Sequence, residues 1–231
     1  MSTRISQEEY FRSVGGDDYF KRNSNHESPL DGHPSIRLLQ ERFLHTLPNE
    51  GRAAVLGGAG GREAAALAKT LAGWELTNVD ISQKAIDFGA AAYPNIRHRC
   101  MSITSTTPTL TGTIDPQDLI FVTGVLLWVD RDLLAQAIAN IDSSLRDGGL
   151  LVIWDFMPPT NRKNPIRHSP NYFTFKQDYS KPFLSLGTYG MLGMESTILA
   201  DPPELDESER RAVTFVLKKD LLGLYPMGYS G

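Results

Sequence analysis

Four of the five residues from Gly57 to Gly61 are glycine, and they join an apolar run to a stretch of helical spacing. A glycine turn at the end of a buried strand lets backbone approach a ligand closely, and it turns the first N–H groups of the next helix toward an anion. Ala53–Gly57 reads as the strand and Arg62–Ala72 as the helix. The alternation then continues: strand Glu75–Val79, helix Lys84–Ala92, a strand near Ile96–Met101, and strand Leu119–Thr123 with β-branched weight at Ile120 and Val122. Arg131–Arg146 is a helix by periodicity, and Asp147-Gly148-Gly149 is expected to stop it as a glycine C-cap. Leu150–Asp155 follows as a near-continuous apolar strand, the pattern of a strand covered on both faces.

Such alternation implies an α/β fold on a doubly wound, mainly parallel sheet. Residues 157–190 read as irregular, and Glu195–Ala200 and Arg211–Lys218 as two strands joined by the acidic connection Asp201 to Glu209. That C-terminal antiparallel hairpin brings the sheet to seven strands. The first fifty residues are polar and broken, with helical pieces over about Gln7–Val14 and Ser35–Leu47. With no internal repeat and no second boundary, residues 1–231 are expected to form one domain. Its parts are a helical N-terminal cap (1–50), a binding core (51–156), a lid (157–190) and the terminal hairpin (191–231).

Composition narrows the classes. Hydrophobic residues at 41% and charged residues at 22% are the balance of a soluble globular chain. The longest apolar run, Leu119 to Val129, is too short to span a bilayer. Met1-Ser2-Thr3-Arg4 leads into Gln7-Glu8-Glu9, not into a signal-peptide core. Cys100 is the single cysteine, so no internal disulfide forms. His26, His33, His45 and His98 lack metal-ligand spacing and read as structural or exposed. A cytoplasmic location is expected. The net charge of −4 argues against a partner held through its phosphates, so neither nucleic acid nor membrane is expected.

Asp80 stands twenty-two positions after Gly58, at the end of the second strand, where a carboxylate accepts hydrogen bonds from ribose hydroxyls in doubly wound folds. Glu63 occupies the place of the third glycine in G-x-G-x-x-G, so a pyrophosphate would meet an anion, and no Gly-Lys-Ser/Thr follows. A zwitterionic adenosyl cofactor without phosphates suits the loop better.

Gly58-Ala59-Gly60 with Asp80, Asp118 to Trp128, and Leu145 to Asp155 together resemble the class I S-adenosylmethionine-dependent methyltransferases, over roughly residues 50–156. Tyr19-Phe20-Lys21-Arg22-Asn23 and Gly124 to Val129 are similar to small methylases of sugar and secondary-metabolite biosynthesis, the pseudaminic-acid-associated group among them. The resemblance implies that Gly58, Ala59 and Gly60 line the methionine part of the cofactor and that Asp80, with Ile81, holds the ribose. Ser102 and Ile103 would edge the adenine, and Thr123 and Gly124 would lie beneath the sulfonium. Tyr19 and Arg22 would close over the cofactor, with Arg22 pairing its carboxylate. Two departures stand out: Leu56 occupies the family's acidic position before the loop, and Met101-Ser102 replaces the acid after strand three.

Methyl transfer needs a nucleophile aligned about 3–3.5 Å from the methyl carbon, and a base only where the acceptor must lose a proton. Ligands in such folds sit beyond the carboxyl ends of the strands. Asp155, His168 and Tyr172 are therefore the catalytic candidates, and Trp128 a candidate wall for the acceptor. Between 157 and 185 five cations (Arg162, Lys163, Arg167, Lys176 and Lys181) face one acid, Asp178. Such a charge concentrates anionic ligands, so Arg162, Arg167 and Lys176 are expected to bind an anionic acceptor. The function expected is O-methylation of a small, polar, anionic metabolite in a biosynthetic pathway. Two alternatives stay open: a non-catalytic adenosyl-binding protein on a decayed fold, and an NAD-dependent oxidoreductase. A homodimer is also open.

Overall fold

In a computed structural model, residues 5–23, 30–107, 109–200 and 206–225 are described. His26 and most of the acidic connection after Ala200 lie outside them. Five strands run parallel: β1 (Arg52–Leu56), β2 (Glu75–Asp80), β3 (Arg97–Cys100), β4 (Gln117–Thr123) and β5 (Leu145–Phe156). A separate antiparallel pair follows, β6 (Arg162–Ile166) with β7 (Ser169–Lys176). The last two strands, β8 (Tyr189–Ile198) and β9 (Arg211–Lys219), rejoin the main sheet, with β9 antiparallel to both β5 and β8. The seven-stranded order is β3-β2-β1-β4-β5-β9-β8.

The period of two along each strand sorts its side chains into two cores. Ala54 and Leu56 of β1, Ile120 and Val122 of β4, and Leu151 and Ile153 of β5 face one side. Ala53 and Val55, Leu119 and Phe121, and Leu150 and Val152 face the other. Leu56 is fully buried in the first of these cores, so it has a packing role at the position where an acid was missed. The helices, in chain order, are α1 (Gln7–Tyr10), α2 (Gly16–Arg22), α3 (Pro34–Leu38), α4 (Arg62–Thr70), α5 (Gln83–Ala92), α6 (Leu134–Ser144) and α7 (Ser180–Ser185). Ala137, Ile138 and Ile141 of α6, with Phe183 of α7, cover the first face. Ile36 and Leu38 of α3 and the alanine-rich side of α4 cover the second.

Three expectations need correction. Residues 157–190 are not irregular, because they hold β6, β7 and α7. The pairing there rests on aromatic faces and long stems: Lys163 lies opposite Phe175, with its ammonium 4.0 Å from the Phe173 ring centre. Prolines at 165 and 170 disguise that pattern in the sequence. The helix before β5 ends at Ser144, and Gly148-Gly149 do not cap it. They sit inside β5, where Leu145 pairs Gln117, Leu150 pairs Leu119, and the register slips between them, so Gly148 takes φ +80 at an irregularity of the strand. The N-terminal helix passes Val14 through a π-helical stretch, Phe11–Gly15, and continues to Arg22.

Phe121 is fully buried between β1 and β5. Phe121→Ala is expected to lower the unfolding free energy by about 3–5 kcal/mol, read as a lower urea midpoint with an unchanged denaturant slope.

Candidate functional site

The sheet order reverses between the neighbours β1 and β4, and a cavity of about 380 Å³ opens beyond their carboxyl ends. That is the place and size of a small-molecule site in a doubly wound fold. The turn after β1 is left-handed at alternate residues: Gly57 at φ +73, Ala59 at +43 and Gly61 at +86. The two glycines singled out from the sequence, Gly58 and Gly60, are not the residues at positive φ. Those two are bare for another reason. A Cβ on Gly58 would lie 2.1 Å from Asn78 Oδ1, and one on Gly60 2.9 Å from the Phe20 and Phe88 rings. Gly57 to Gly60 all line the cavity.

Asp80 closes the turn from β2. Its Oδ2 accepts from Ala59 N at 2.8 Å and its Oδ1 from Ser82 N at 2.9 Å. A carboxylate has about four lone-pair sites, so with the backbone N–H groups already on it Asp80 keeps acceptor capacity for a hydroxyl donor from the cavity side. Burial raises its pKa, and the backbone N–H groups of Ser82, Ala59 and Ile81 work against that rise. Ile81 lines the cavity beside it, and Ser102 and Ile103 form a buried edge where the Ser102 and Thr104 hydroxyls meet at 2.7 Å. Thr123 and Gly124, at the end of β4, also line it. Bare backbone, an acid with spare acceptors and a partly apolar rim fit an adenosyl ligand. A pyrophosphate does not fit, because Glu63 lies buried in the first turn of α4.

Glu63 is the centre of a network that the sequence reading did not find. Its Oε1 accepts from Ser35 Oγ at 3.0 Å and its Oε2 from the Thr123 hydroxyl. His33 Nδ1 is 2.7 Å from Ser35 Oγ and 3.7 Å from Glu63 Oε1. The His33 ring meets Trp154 edge-on at 4.9 Å, and both residues line the cavity. His33 is therefore half-buried, with its ring held by Ser35 and lining the cavity. Pro34 at the first turn of α3 holds His33 extended as the helix N-cap, which aims its ring at Ser35 and Glu63. The local signal was present: a His-Pro-Ser helix start ahead of an apolar face. Its partner lies thirty positions on, and only the fold brings the two together.

Phe11, Tyr19 and Trp128 line the far wall, with Tyr19 edge-on to Trp128 at 5.8 Å and Phe11 to Trp128 at 5.5 Å. Buried Gln7 fixes this wall. It donates to the carbonyls of Trp128 (2.6 Å) and Phe173 (2.8 Å) and accepts from Phe173 N at 2.7 Å. Tyr172 stacks on Tyr10 at 4.1 Å and does not line the cavity. Arg22 is exposed and outside the lining. His168 is exposed in the β6–β7 turn, also outside it. Asp155 is buried below, accepting from Phe156 N (2.7 Å) and Leu127 N (3.2 Å), so it braces the turn that carries Trp128.

The basic segment is engaged elsewhere. Glu209 receives Lys176 at 3.0 Å and Arg162 at 3.3 Å, and Lys176 also donates to the Glu209 carbonyl at 2.7 Å. Arg162, Arg167 and Lys176 are all absent from the cavity lining, whose one Arg or Lys is Arg62.

Residues 55–151 match a family model described as a methyltransferase domain. Solved structures share the fold. One is 1,6-didemethyltoxoflavin-N1-methyltransferase of Burkholderia thailandensis with bound 1,6-didemethyltoxoflavin and S-adenosylhomocysteine. It is 14% identical with a TM-score of 0.66, and the match covers 95% of this chain and 93% of that one. The N-methyltransferase NodS of Bradyrhizobium japonicum, in complex with S-adenosylhomocysteine, is 17% identical at a TM-score of 0.56, over 88% of this chain and 97% of its own. An O-methyltransferase from a trans-AT PKS multienzyme of Brevibacillus brevis, also with S-adenosylhomocysteine, is 12% identical at a TM-score of 0.59, over 94% and 81%. No curated protein sequence matches the chain.

Burial pushes the Asp155 pKa up to about 7, against the pull of two backbone N–H groups and the charges of Arg131 and Lys176. From the ordinary carboxylate range up to that value the folded protein holds this proton more tightly than the unfolded chain, so stability falls as pH rises through the window. Urea midpoints between pH 5 and 8 are expected to decline in the parent protein and to decline less in Asp155→Asn.

Proposed function

We propose, from the premise that residues 55–151 are the methyltransferase domain of a class I S-adenosylmethionine-dependent enzyme, that the chain methylates a small, flat, uncharged acceptor between its aromatic walls. The observation that carries this reading is the two-sided cavity. One side is bare glycine backbone with Asp80, and the other is Phe11, Tyr19, Trp128 and Trp154. The protein above that holds 1,6-didemethyltoxoflavin together with S-adenosylhomocysteine supports room for two small ligands on this fold.

When bound, S-adenosylmethionine supplies an activated methyl group on a sulfonium sulfur. Asp80 would hold a ribose hydroxyl through its free acceptor capacity, and Ile81, Ser102 and Ile103 would edge the adenine. Gly57 to Gly60 would leave room for the amino-acid part, and Thr123 and Gly124 would underlie the reacting centre. The aromatic wall excludes water and presents ring faces and edges to a flat acceptor. Holding two reactants in such a slot is worth about 7–11 kcal/mol of barrier, which is most of what this reaction asks of a protein.

An anionic acceptor has less support than the sequence suggested, because Glu209 and the Phe173 ring engage the lid cations outside the cavity. The acceptor atom is read as an oxygen or ring nitrogen that carries a proton. In this reading residues 7–22 close the aromatic side of the cavity.

Titration calorimetry with S-adenosylmethionine, S-adenosylhomocysteine and NAD tests the reading. The two adenosyl ligands are expected to bind at micromolar levels, with no NAD binding. Hydrogen bonds to a charged group are worth about 1.5–3 kcal/mol each, so Asp80→Ala should weaken S-adenosylhomocysteine by at least about tenfold. Binding of NAD alone would overturn the proposal.

A further inference from the structure

Hydroxyl bookkeeping around Glu63 fixes the state of His33. A hydroxyl has one proton to donate, and an ionised carboxylate only accepts. Ser35 Oγ–H points at Glu63 Oε1 (3.0 Å), and the Thr123 hydroxyl takes Oε2. Bonds to an ionised acceptor outweigh neutral ones, so Ser35 has only a lone pair left for His33 Nδ1 at 2.7 Å. Nδ1 must then carry the ring proton. Ser35 N–H also approaches Nδ1, at 3.4 Å, and is the longer, weaker competitor. Every ring hydrogen bond made by His33 among the described residues is at Nδ1, which leaves Nε2 without one, and the ring lines the cavity. An imidazole with Nδ1–H tied to a buried acid and a bare Nε2 in a ligand cavity is the arrangement of an oriented proton acceptor.

We infer that His33 is the base of this site: its Nε2 takes the proton that leaves the acceptor, while Glu63, through Ser35, fixes its tautomer and Thr123 anchors Glu63. The inference rests on the methyl-transfer reading. In the step, the acceptor's O–H or N–H bond breaks as its heavy atom forms the new bond to the methyl carbon. The carbon–sulfur bond breaks with its electron pair staying on sulfur, and the proton passes to His33 Nε2. The neutral imidazole becomes imidazolium, and the positive charge that leaves sulfur is retained on His33 beside the Glu63 carboxylate. His33 is faced by Glu63 and Ser35 on one side and by Trp154 on the other. The other charged residues lining the cavity are Glu8, Arg62, Asp80 and Asp130. Burial lowers the His33 pKa and Glu63 works against that, so the base form is present at neutral pH.

The test uses the full chain with ¹⁵N-labelled histidine, loaded with S-adenosylhomocysteine and probed with 4-methylphenol, a flat O–H donor that stays protonated at the working pH. His33 signals are assigned by their loss in His33→Gln. Before the probe is added, the expected spectrum at pH 7.5 has a protonated Nδ1 and an unprotonated Nε2. The probe should move the Nε2 signal by several ppm and leave Nδ1 nearly still. In Glu63→Gln the two tautomers should become mixed. His33→Gln should bind S-adenosylhomocysteine within twofold of the parent and 4-methylphenol up to about tenfold more weakly, the loss of one hydrogen bond. A proton on Nε2 before the probe is added, or an Nε2 signal that the probe leaves unmoved, would overturn the assignment. Failure of S-adenosylhomocysteine to bind the parent protein would instead overturn the methyl-transfer reading.

Discussion

The end of a parallel strand carries backbone groups that the next element must satisfy, and here the N–H of Ala59 goes to Asp80 at 2.8 Å. The bond pins the turn after β1 to the end of β2 and holds Ala59 at φ +43, the one residue with a side chain at positive φ among those described. A left-handed alanine costs roughly 1–2 kcal/mol, so the turn persists only because its surroundings hold it. Gly57 and Gly58 both donate to the Val79 carbonyl, and Asn78 Nδ2 donates to the Ala59 carbonyl at 2.8 Å. From that fixed turn α4 starts at Arg62, which places Glu63 under the cavity and, through Ser35, His33 beside it.

The sequence made the sheet legible wherever one strand's own pattern is enough. β1, β4 and β5 are buried on both faces and read as apolar runs, and Asp80 could be placed by its distance from the glycines. A run of four glycines and one alanine leaves its register undetermined, since four positions accept positive φ freely and the alanine takes it against its own preference. Only the contacts separate Gly57, Ala59 and Gly61 from Gly58 and Gly60. β6 and β7 escaped because their pairing depends on cross-strand partners, such as Lys163 with Phe175, that no local periodicity reveals.

The site was half legible for the same reason. The cavity residues proposed to face adenosine sit at or just after strand ends, which sequence locates well. His33 needs Glu63, and the lid cations are neutralised by Glu209, 33 and 47 positions beyond Lys176 and Arg162. Charge counted along a segment cannot see an acid that arrives from a distant part of the chain, here the short helix before β9. Asp155 misled in the opposite direction. Its place at the end of β5 resembles that of a reacting carboxylate, yet two backbone N–H groups use its oxygens to hold the turn before Trp128.

Gln7 has one more implication. Its side-chain amide donates to and accepts from the backbone of Phe173, so it acts as an added strand residue on a two-stranded sheet outside the main one. The N-terminal part of the aromatic side, Phe11 and Tyr19, is thus fastened in part to a peripheral pair, while Trp154 belongs to β5. Swinging the N-terminal helix away would break the bonds at Gln7, the Tyr10–Tyr172 stack and the contacts of Asp17 with Ser82 and Lys84 and of Phe20 with Phe88, while both cores stay packed. Ligand residence time and global stability are thereby governed by separate sets of contacts, and the exchange of ligands can be fast in a protein whose sheet unfolds slowly.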